Sequence, residues 1–291
     1  MMRKILVTGA TGFTGSYTVP LLLKQANIVR CLVRQSSDLS KLPVNKVELV
    51  YGDLDSYDSI VAAMEGVDCL VNIASIGFGH APLILKAAEA TGIQRAIFIS
   101  TTALFTSLNA SSKKARIAAE NAIQQSDLAY TILRPTMIYG SSRDRNICRL
   151  INYLQKWPLI PIFGNGNSLQ QPIFVGDVAS AITNVIHAPH TKRKAYNISG
   201  GTVATYNHLI ETICSLLKKH VRLLHLPTKP FVAGLTVLEK ASLPIPLKAE
   251  QIRRLNEDKS FSHAQASTDF GFAPKSLAVG LRIELEEMGL L

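Results

Sequence analysis

The sequence is poor in several residue types, and each shortage narrows what the protein can be. Only four cysteines occur among its 291 residues. They stand apart from one another, none has the C-x-x-C spacing of a metal or redox motif, and most lie in apolar runs. We therefore expect reduced core thiols and no disulfide framework. The seven histidines are also dispersed, with no pair at i, i+4, so no metal site is predicted. The cysteines are Cys31, Cys69, Cys148 and Cys214.

Acidic residues are scarce: 21 Asp and Glu stand against 31 Lys and Arg, which gives a formal net charge of +10. Basic proteins often bind nucleic acid or anionic membranes. Here the basic residues are scattered and no nucleic-acid motif accompanies them, so nucleic-acid binding is not expected. Residues 230–247 are the most apolar late stretch, but Glu239, Lys240 and three prolines make them a poor membrane span. A membrane-peripheral role remains a weaker alternative.

Charged residues of all kinds make up only 18% of the chain, whereas hydrophobic residues make up 47%. This composition indicates a well-buried core and excludes a disordered chain. The first residues lead directly into an apolar run at positions 5–7, which leaves no room for a signal peptide. Together with the reduced thiols, this predicts a cytoplasmic protein.

What the sequence does contain is a glycine-rich turn near its start. An apolar run at residues 5–7 is followed by Gly9, Gly12 and Gly15, and residues 17–24 have the composition of a packed helix. A strand, a glycine turn and a helix in this order form the context of a dinucleotide-binding fingerprint. The glycines let the backbone approach a pyrophosphate at the helix N-terminus. The alternative is a glycine-rich turn without a ligand.

Strand and helix patterns alternate after this turn. The predicted strands are at 28–33, 47–50, 69–73, 96–99 and 130–133, and helices are predicted at 57–64, 82–91 and 110–120. This alternation predicts an α/β fold with a doubly wound parallel sheet. A later helix is predicted to end at His187, with Asp177 as its N-cap, and another to begin after Thr205, which is its expected N-cap.

The G-x-x-G-x-x-G spacing preceded by Thr8 resembles the extended branch of the short-chain dehydrogenase/reductase superfamily, whose members include nucleotide-sugar epimerases and dehydratases. Matching stretches follow at residues 52–54, 72–74, 99–102, 133–140 and 196–201. The resemblance implies a Rossmann-type cofactor domain at residues 1–140, to which 172–200 return. A smaller, discontinuous C-terminal substrate lobe would comprise residues 141–171 and 201–291.

The resemblance also implies an NAD(P) cofactor. Asp53 would accept a hydrogen bond from the adenine amino group, although it competes with Ser56 to cap the helix at 57–64. Residues from the turn and from the ends of later strands would hold the rest of the cofactor. They are Thr8, Gly9, Thr11, Gly12, Phe13, Thr14, Gly15, Leu54, Ile73, Ala74, Ser100, Pro135, Thr136 and Ile138.

One position favours NADP over NAD. An acidic residue about 20 positions beyond the glycines normally accepts the ribose hydroxyls of NAD. This chain has Arg34 at that position, followed closely by Ser36. A cation with nearby hydroxyls suits a 2′-phosphate, whereas an arginine that only stacks on the adenine would accept either cofactor.

The family's proton-transfer machinery consists of a Ser or Thr after the fifth strand and a Tyr-x-x-x-Lys motif on the next helix. Thr101 and Thr102 supply the hydroxyls, but Ser112 stands at the tyrosine position and Arg116 at the lysine position. Tyr139 remains, although tyrosines at that point of the family are structural or line the substrate pocket.

Two explanations stay open. An unusual enzyme of the epimerase, dehydratase or reductase kind can draw its acid and base from Thr102, Tyr139, Lys113 or Lys114, or from the substrate. Alternatively, the protein keeps the cofactor as a structural or sensing ligand and acts with a partner protein.

The substrate implied by the resemblance is a nucleotide sugar. Arg143, Arg145 and Arg149 are candidates to bind its diphosphate, because guanidinium groups match phosphate oxygens. A solvated basic loop is the competing interpretation. Family analogy also raises the possibility of a homodimer formed through the helices at 82–91 and 113–125.

Overall fold

The computed structural model describes residues 3–108, 111–240 and 249–291. The chain folds into two compact units, each built from separate stretches of sequence. Unit 1 consists of Met1–Ile138, Val175–Ser199 and Ser262–Pro274. Unit 2 consists of Tyr139–Phe174, Gly200–Phe261 and Lys275–Leu291.

Unit 1 contains a seven-stranded parallel sheet with the strand order β11-β6-β5-β4-β1-β2-β3. The order reverses between β1 and β4, which is the place where such sheets bind ligands beyond the strand ends. The predicted α/β fold class with a Rossmann-type parallel sheet is confirmed. The strands are β1 (Lys4–Thr8), β2 (Ile28–Val33), β3 (Glu48–Tyr51), β4 (Cys69–Asn72), β5 (Arg95–Ile99), β6 (Ala129–Pro135) and β11 (Lys194–Ile198).

Helices pack on unit 1's sheet in two groups, which is why its central strands are buried and mostly apolar. Every residue of β4 and β5 is buried, as expected for strands covered on both faces. One group contains α1 and α6, which contact each other, and the other contains α2, α3 and α4. Unit 1's helices are α1 (Phe13–Lys24), α2 (Tyr57–Met64), α3 (Ala81–Ala90), α4 (Ser111–Gln125), α6 (Val175–Ile186) and α10 (Ala264–Phe270).

The four cysteines are free and buried. Burial raises the pKa of the Cys31 and Cys69 thiols to about 12. They therefore stay as neutral thiols at physiological pH and behave as small apolar core residues.

Unit 2 is built from shorter elements. Its strands form small ladders, of which β8 with β13 is parallel and β9 with β12 is antiparallel. Its helices are α5 (Ile147–Lys156), α7 (Tyr206–Leu216), α8 (Thr228–Lys240), α9 (Ala249–Leu255) and α11 (Leu277–Glu287). Its strands are β8 (Leu159–Phe163), β9 (Leu169–Gln170), β10 (Ile173–Phe174), β12 (Ala204–Thr205) and β13 (Arg222–Leu226), and β7 (Ile138–Tyr139) lies where the chain leaves unit 1.

Two predicted helix caps are confirmed and one is wrong. Ser56, and not Asp53, caps α2, because its hydroxyl accepts from the Ser59 N–H. Thr205 caps α7 in the same way, by accepting from the His208 N–H. Asp177 is not an N-cap, because α6 begins at Val175 and places Asp177 inside the first helical turn, where it is buried.

The unit boundaries differ from the sequence-based ones at three places, of which the first is residues 139–140, which belong to unit 2. Residues 172–174 and 200 belong to unit 2, where Gln171 donates to the Gly200 carbonyl. Residues 262–274, which the sequence analysis assigned to the lobe, belong to unit 1. There Asp269 accepts hydrogen bonds from Lys194 at 2.8 Å and Tyr196 at 2.6 Å, which hold this segment against β11. The same two hydrogen bonds lower the pKa of Asp269.

Candidate functional site

The glycine turn between β1 and α1 leaves no room for side chains. Gly9 has a φ of +69°, and a Cβ at this position would lie 2.7 Å from the backbone nitrogen of Ala74. Residue 74 follows β4, so the two backbones approach closely at the point where the strand order reverses. Only glycine combines the left-handed conformation with this close approach.

Gly15 is tightly constrained by the backbone, and Gly12 is constrained less. A Cβ on Gly15 would lie 2.2 Å from the Gly9 carbonyl oxygen, and one on Gly12 would lie 3.1 Å from the same atom. Gly12 is the N-cap of α1, makes no side-chain capping bond and is exposed. Helix α1 therefore presents its N-terminus without a capping side chain, which is the arrangement that accepts a phosphate.

Side chains at the ends of β1 and β4 hold the two loops in place. The Thr8 hydroxyl donates to Oδ1 of Asn72 over 2.8 Å, and Asn72 Nδ2 donates to the Ala74 carbonyl over 2.9 Å. Thr8 and Asn72 are both buried. Thr8 thus supports the turn, and Asn72, the first residue of the matching stretch 72–74, is a positioning residue.

The Ser100 hydroxyl, at the end of β5, is buried and has no hydrogen-bond partner among the described residues. An unsatisfied buried hydroxyl is costly unless a ligand or water completes it. The glycine turn at Gly9, Gly12 and Gly15, which we call the glycine cradle, and the unpartnered Ser100 hydroxyl together fit the dinucleotide that the sequence implied. The remaining turn and strand-end candidates lie on the same edge of unit 1: Thr11, Phe13, Thr14, Leu54, Ile73, Ala74, Pro135, Thr136 and Ile138.

Arg34 follows β2 and is exposed, as is Ser36. The backbone turns at this point, because the Ser37 hydroxyl accepts from the Arg34 N–H at 3.0 Å. Asp53 follows β3 and is half-buried, and its Oδ1 accepts from the Asp55 N–H at 3.1 Å. Both residues thus stand at the carboxyl edge of neighbouring strands, beside the end of β1.

The two threonines after β5 have different surroundings. The Thr101 hydroxyl accepts from the Ala103 N–H and caps a short 3₁₀ turn. Thr102 is buried, and its hydroxyl donates to the Pro135 carbonyl at 3.3 Å. The structure therefore brings Thr102 and Pro135 together, while it uses the Thr101 hydroxyl to begin a turn.

Helix α4 carries the pair that replaces tyrosine and lysine. Arg116 Nη1 donates to the Ser112 hydroxyl over 2.6 Å. The Arg116 side chain also lies against the turn after β4, since a Cβ on Gly77 would be 3.2 Å from its Cγ and Nε. Lys113 Nζ is directed elsewhere, to the Thr106 carbonyl. A cation is thus held at this position, but no phenol accompanies it.

Tyr139 belongs to the core of unit 2. Its side chain is 1% exposed, its hydroxyl lies 3.5 Å from the Leu277 carbonyl, and its ring packs edge-on against Phe174. A Cβ on Gly280 would lie 2.0 Å from the tyrosine hydroxyl, so α11 approaches it closely. This environment is that of a packing residue, and it leaves Tyr139 poorly placed for proton transfer.

The three arginine candidates lie in unit 2 at the start of α5. Arg143, Arg145 and Arg149 are all exposed. Asp144 between them is buried, and its Oδ1 accepts from the Asn146 N–H at 2.8 Å and from the Cys148 N–H at 3.1 Å. Asp144 therefore fixes the loop that carries the arginines. Its position three residues before an apolar helix is the sequence signal that would have identified it.

A second buried carboxyl lies near Asp144. Glu284 on α11 is fully buried, and its pKa is raised to about 10, first by desolvation and then by Asp144. It is therefore protonated at neutral pH. Residue type alone did not point to Glu284, although its spacing from Leu277 and Leu281 places it on the apolar face of α11.

Among the described residues, no group of three or more His, Cys, Asp and Glu side chains is arranged to hold a metal ion. In the same residues, no helix has both the length and the apolar character needed to cross a membrane.

The reversing parallel sheet and the glycine cradle define a dinucleotide-binding α/β protein. A family model described as NAD(P)H-binding matches residues 9–153. The match covers just under half of the chain and identifies an NAD(P)H-binding domain there, in agreement with the motifs that resemble the extended short-chain dehydrogenase/reductase superfamily. A nicotinamide dinucleotide is therefore its cofactor.

Relatives with established names include subunits and assembly factors. The chain is 28% identical over 273 residues to "NADH dehydrogenase [ubiquinone] 1 alpha subcomplex subunit 9, mitochondrial" of Arabidopsis thaliana, covering 86% of this chain and 67% of that protein. It is 23% identical over 224 residues to "Photosystem II assembly factor Ycf39" of Trieres chinensis, covering 73% of this chain and 68% of that protein.

The fold is shared with nucleotide-sugar enzymes. The UDP-glucuronic acid 4-epimerase of Bacillus cereus, solved in complex with NAD, superimposes with a TM-score of 0.78 at 18% identity, covering 98% of each chain. At this identity the likeness concerns the fold alone.

Proposed function

We propose that the protein binds NADP(H) in unit 1 and uses it mainly as a structural or redox-sensing ligand while it acts on a partner protein. The observation that carries this proposal is the Ser112–Arg116 pair. A cation that can hold the cofactor is kept, whereas the phenol that would exchange a proton is replaced by an aliphatic hydroxyl bonded to that cation. A serine is a far weaker acid than a tyrosine, and arginine does not release its proton at neutral pH.

In this proposal the cofactor would serve as a bound ligand, and residues of unit 1 would hold it. The glycine turn and the N-terminus of α1 would hold its pyrophosphate. Arg34 and Ser36 would bind the 2′-phosphate, which favours NADP over NAD. The Ser100 hydroxyl would form a hydrogen bond with the bound cofactor. The named functions of the complex subunit and the assembly factor further support a role with a partner.

A second candidate is an epimerase, dehydratase or reductase acting on a nucleotide sugar. It is favoured by the exposed Arg143, Arg145 and Arg149, which offer guanidinium groups for a diphosphate. In this case the buried Thr102 hydroxyl would donate or relay the proton, or the substrate would supply its own acid.

The experiment that separates the two is calorimetric titration with NADPH and NADH, each followed by a panel of nucleotide sugars and an assay of cofactor absorbance. The first proposal predicts tight NADPH binding, no sugar binding and no turnover. It also predicts that a co-purifying partner is retained with NADPH and released without it. A sugar nucleotide that binds much more tightly with NADPH and changes its absorbance would favour the second candidate. If neither cofactor binds, both proposals fail.

A further inference from the structure

The parallel pair β8 and β13 in unit 2 has one buried side and one apolar outer side. Side chains alternate along a strand, so Ile160 and Ile162 point inward and are buried. Leu159 is paired with Arg222, and the residues two and four positions further along each strand lie on the same side of the strand pair. The outer side therefore consists of Leu159, Pro161, Phe163, Arg222, Leu224 and Leu226.

Several large side chains around this side are exposed to solvent. The exposed fractions are 58% for Trp157, 45% for Leu224, 42% for Phe231, 41% for Leu159 and 36% for Tyr153. We call these five residues the apolar face. Local contacts connect three of these residues. The rings of Tyr153 and Trp157 are 6.5 Å apart, and the Tyr153 hydroxyl donates to the Leu159 carbonyl at 3.1 Å.

Phe231 is connected to the same strands. Its ring, in the first turns of α8, lies 5.3 Å from the ring of Phe163 and meets it edge-on. The apolar face thus runs from the end of α5, across the outer side of β8 and β13, to the start of α8. Exposed aromatic and leucine side chains in such a cluster mark an interaction surface more often than scattered single residues do.

The two stretches of sequence that supply the apolar face carry basic residues and no acidic ones. Residues 146–174 and 212–238, which supply every member of the face, contain no aspartate or glutamate. They contain six basic residues, all of which are exposed. These are Arg149, Lys156, Lys218, Lys219, Arg222 and Lys229.

We propose that the apolar face and its basic surround bind the surface of an anionic phospholipid membrane, with Trp157, Leu159 and Leu224 entering the interfacial region and Lys156, Lys218 and Arg222 contacting lipid phosphates. Tryptophan, phenylalanine and leucine beside lysine and arginine form the composition of interfacial membrane-binding surfaces. Each basic residue at an anionic surface contributes about fivefold in affinity.

The lysine content favours lipid over a protein as the occupant of this face. Protein interfaces are depleted in lysine, and their cores are depleted in charge. Here four exposed lysines lie in the same two stretches as the exposed tryptophan and leucines, and these stretches contain no acidic residue. A membrane surface of uniform negative charge can attract all four lysines at once.

The single tryptophan of the chain makes the proposal directly measurable, because all tryptophan fluorescence comes from position 157. The full chain would be mixed with vesicles of phosphatidylcholine alone or of equal parts phosphatidylcholine and phosphatidylglycerol. We expect flotation, a blue-shifted emission and quenching by brominated acyl chains with the anionic vesicles only. Added salt should reverse the binding, because screening weakens the contribution of the basic residues.

Variants locate the surface. Trp157→Ser with Leu224→Ser should reduce flotation at least about tenfold, and Lys156→Glu with Arg222→Glu should reduce it at least about 25-fold. Val279→Ser removes another exposed apolar side chain, and Lys46→Glu reverses an exposed charge in unit 1. These controls should bind like the unmodified protein, and thermal melting would verify that all variants are folded.

Three outcomes would overturn the proposal. One is the absence of flotation with anionic vesicles at low salt. Another is flotation without a change in Trp157 emission, which would place the contact elsewhere. The third is a dimer in size-exclusion chromatography that dissociates on Leu224→Ser, since the face would then be an interface between two copies of the chain.

Discussion

Arg116 donates a 2.6 Å hydrogen bond to Ser112, one turn earlier in α4, at the two positions where the superfamily has lysine and tyrosine. The pair preserves the positive charge and loses the acid. The two residues also bind each other, so Arg116 is oriented without help from a ligand. This arrangement suits a residue that positions a cofactor more than one that drives a reaction.

Arg116 should therefore contribute charge and not proton transfer. We expect Arg116→Ala to weaken NADPH binding about fivefold, as loss of one partly screened charge contact would do. Arg116→Lys should stay within about twofold of the unmodified protein. Lys114→Ala, an exposed residue of the same helix, is the matched control, and calorimetry is the measurement. Equal losses in the lysine and alanine variants would contradict a role based on charge.

The glycine cradle should be intolerant of a methyl group. Gly15→Ala places its Cβ 2.2 Å from a backbone oxygen, so it should abolish measurable NADPH binding and lower the free energy of unfolding by about 1–3 kcal/mol. Gly12→Ala, with a milder approach of 3.1 Å, should fold and bind about tenfold more weakly. Gly234→Ala in α8 meets no atom within 4 Å and should change neither quantity adversely. Normal binding by both turn variants would refute the assigned site.

Arg34 should decide the choice of cofactor. Its removal in Arg34→Ala takes away a charged partner for the 2′-phosphate, which should cost about tenfold in NADPH affinity. NADH binding should change less than about twofold. Lys46→Ala removes a similarly exposed charge at the far end of β3 and serves as the control. If both cofactors weaken equally, the arginine stacks on the adenine and does not select between them.

Glu284 should make the protein less stable as the pH rises. The pKa of Glu284 is about 10 in the folded state and near 4.3 in the unfolded chain. Its contribution to the free energy of unfolding is therefore fully present below about pH 4.3. That stability is lost progressively as the pH rises toward 10. Glu284→Gln should flatten this slope and raise the free energy of unfolding at pH 8 by more than about 1 kcal/mol. Urea unfolding at several pH values measures it.

Exposed Glu286 provides the control for that experiment. Glu286→Gln should leave the pH dependence of unfolding unchanged. Parallel slopes for Glu284→Gln and the unmodified protein would show that Glu284 is ionised in the folded state.

Tyr139 should behave as a packing residue. Tyr139→Phe loses only a hydroxyl whose hydrogen bond to the Leu277 carbonyl is long, at 3.5 Å, so unfolding should change by less than about 1 kcal/mol. Cofactor binding and any turnover should persist. Tyr139→Ala should destabilise by about 3–5 kcal/mol because it opens a cavity. A selective loss of turnover in Tyr139→Phe would restore it as an acid.

Local patterns predicted some elements well. β2 and α2 begin and end at the residues that hydrophobic periodicity and capping signals indicated. The patterns missed β13 and α10, which are short and have weak periodicity of their own. They are stabilised by partners distant in sequence, such as β8 for β13 and Lys194 and Tyr196 for the segment of α10.

The sequence by itself determined the parallel α/β architecture, the glycine turn and the loss of Tyr-x-x-x-Lys, because these depend on local periodicity and on residue identity. Only the tertiary structure decided that Tyr139 is a core residue, that Ser112 is bonded to Arg116, and that Glu284 holds its proton. It also decided that Trp157 and Leu224 share one exposed side. Burial, hydrogen-bond partners and pKa values arise from groups far apart in the chain, and no local pattern encodes them.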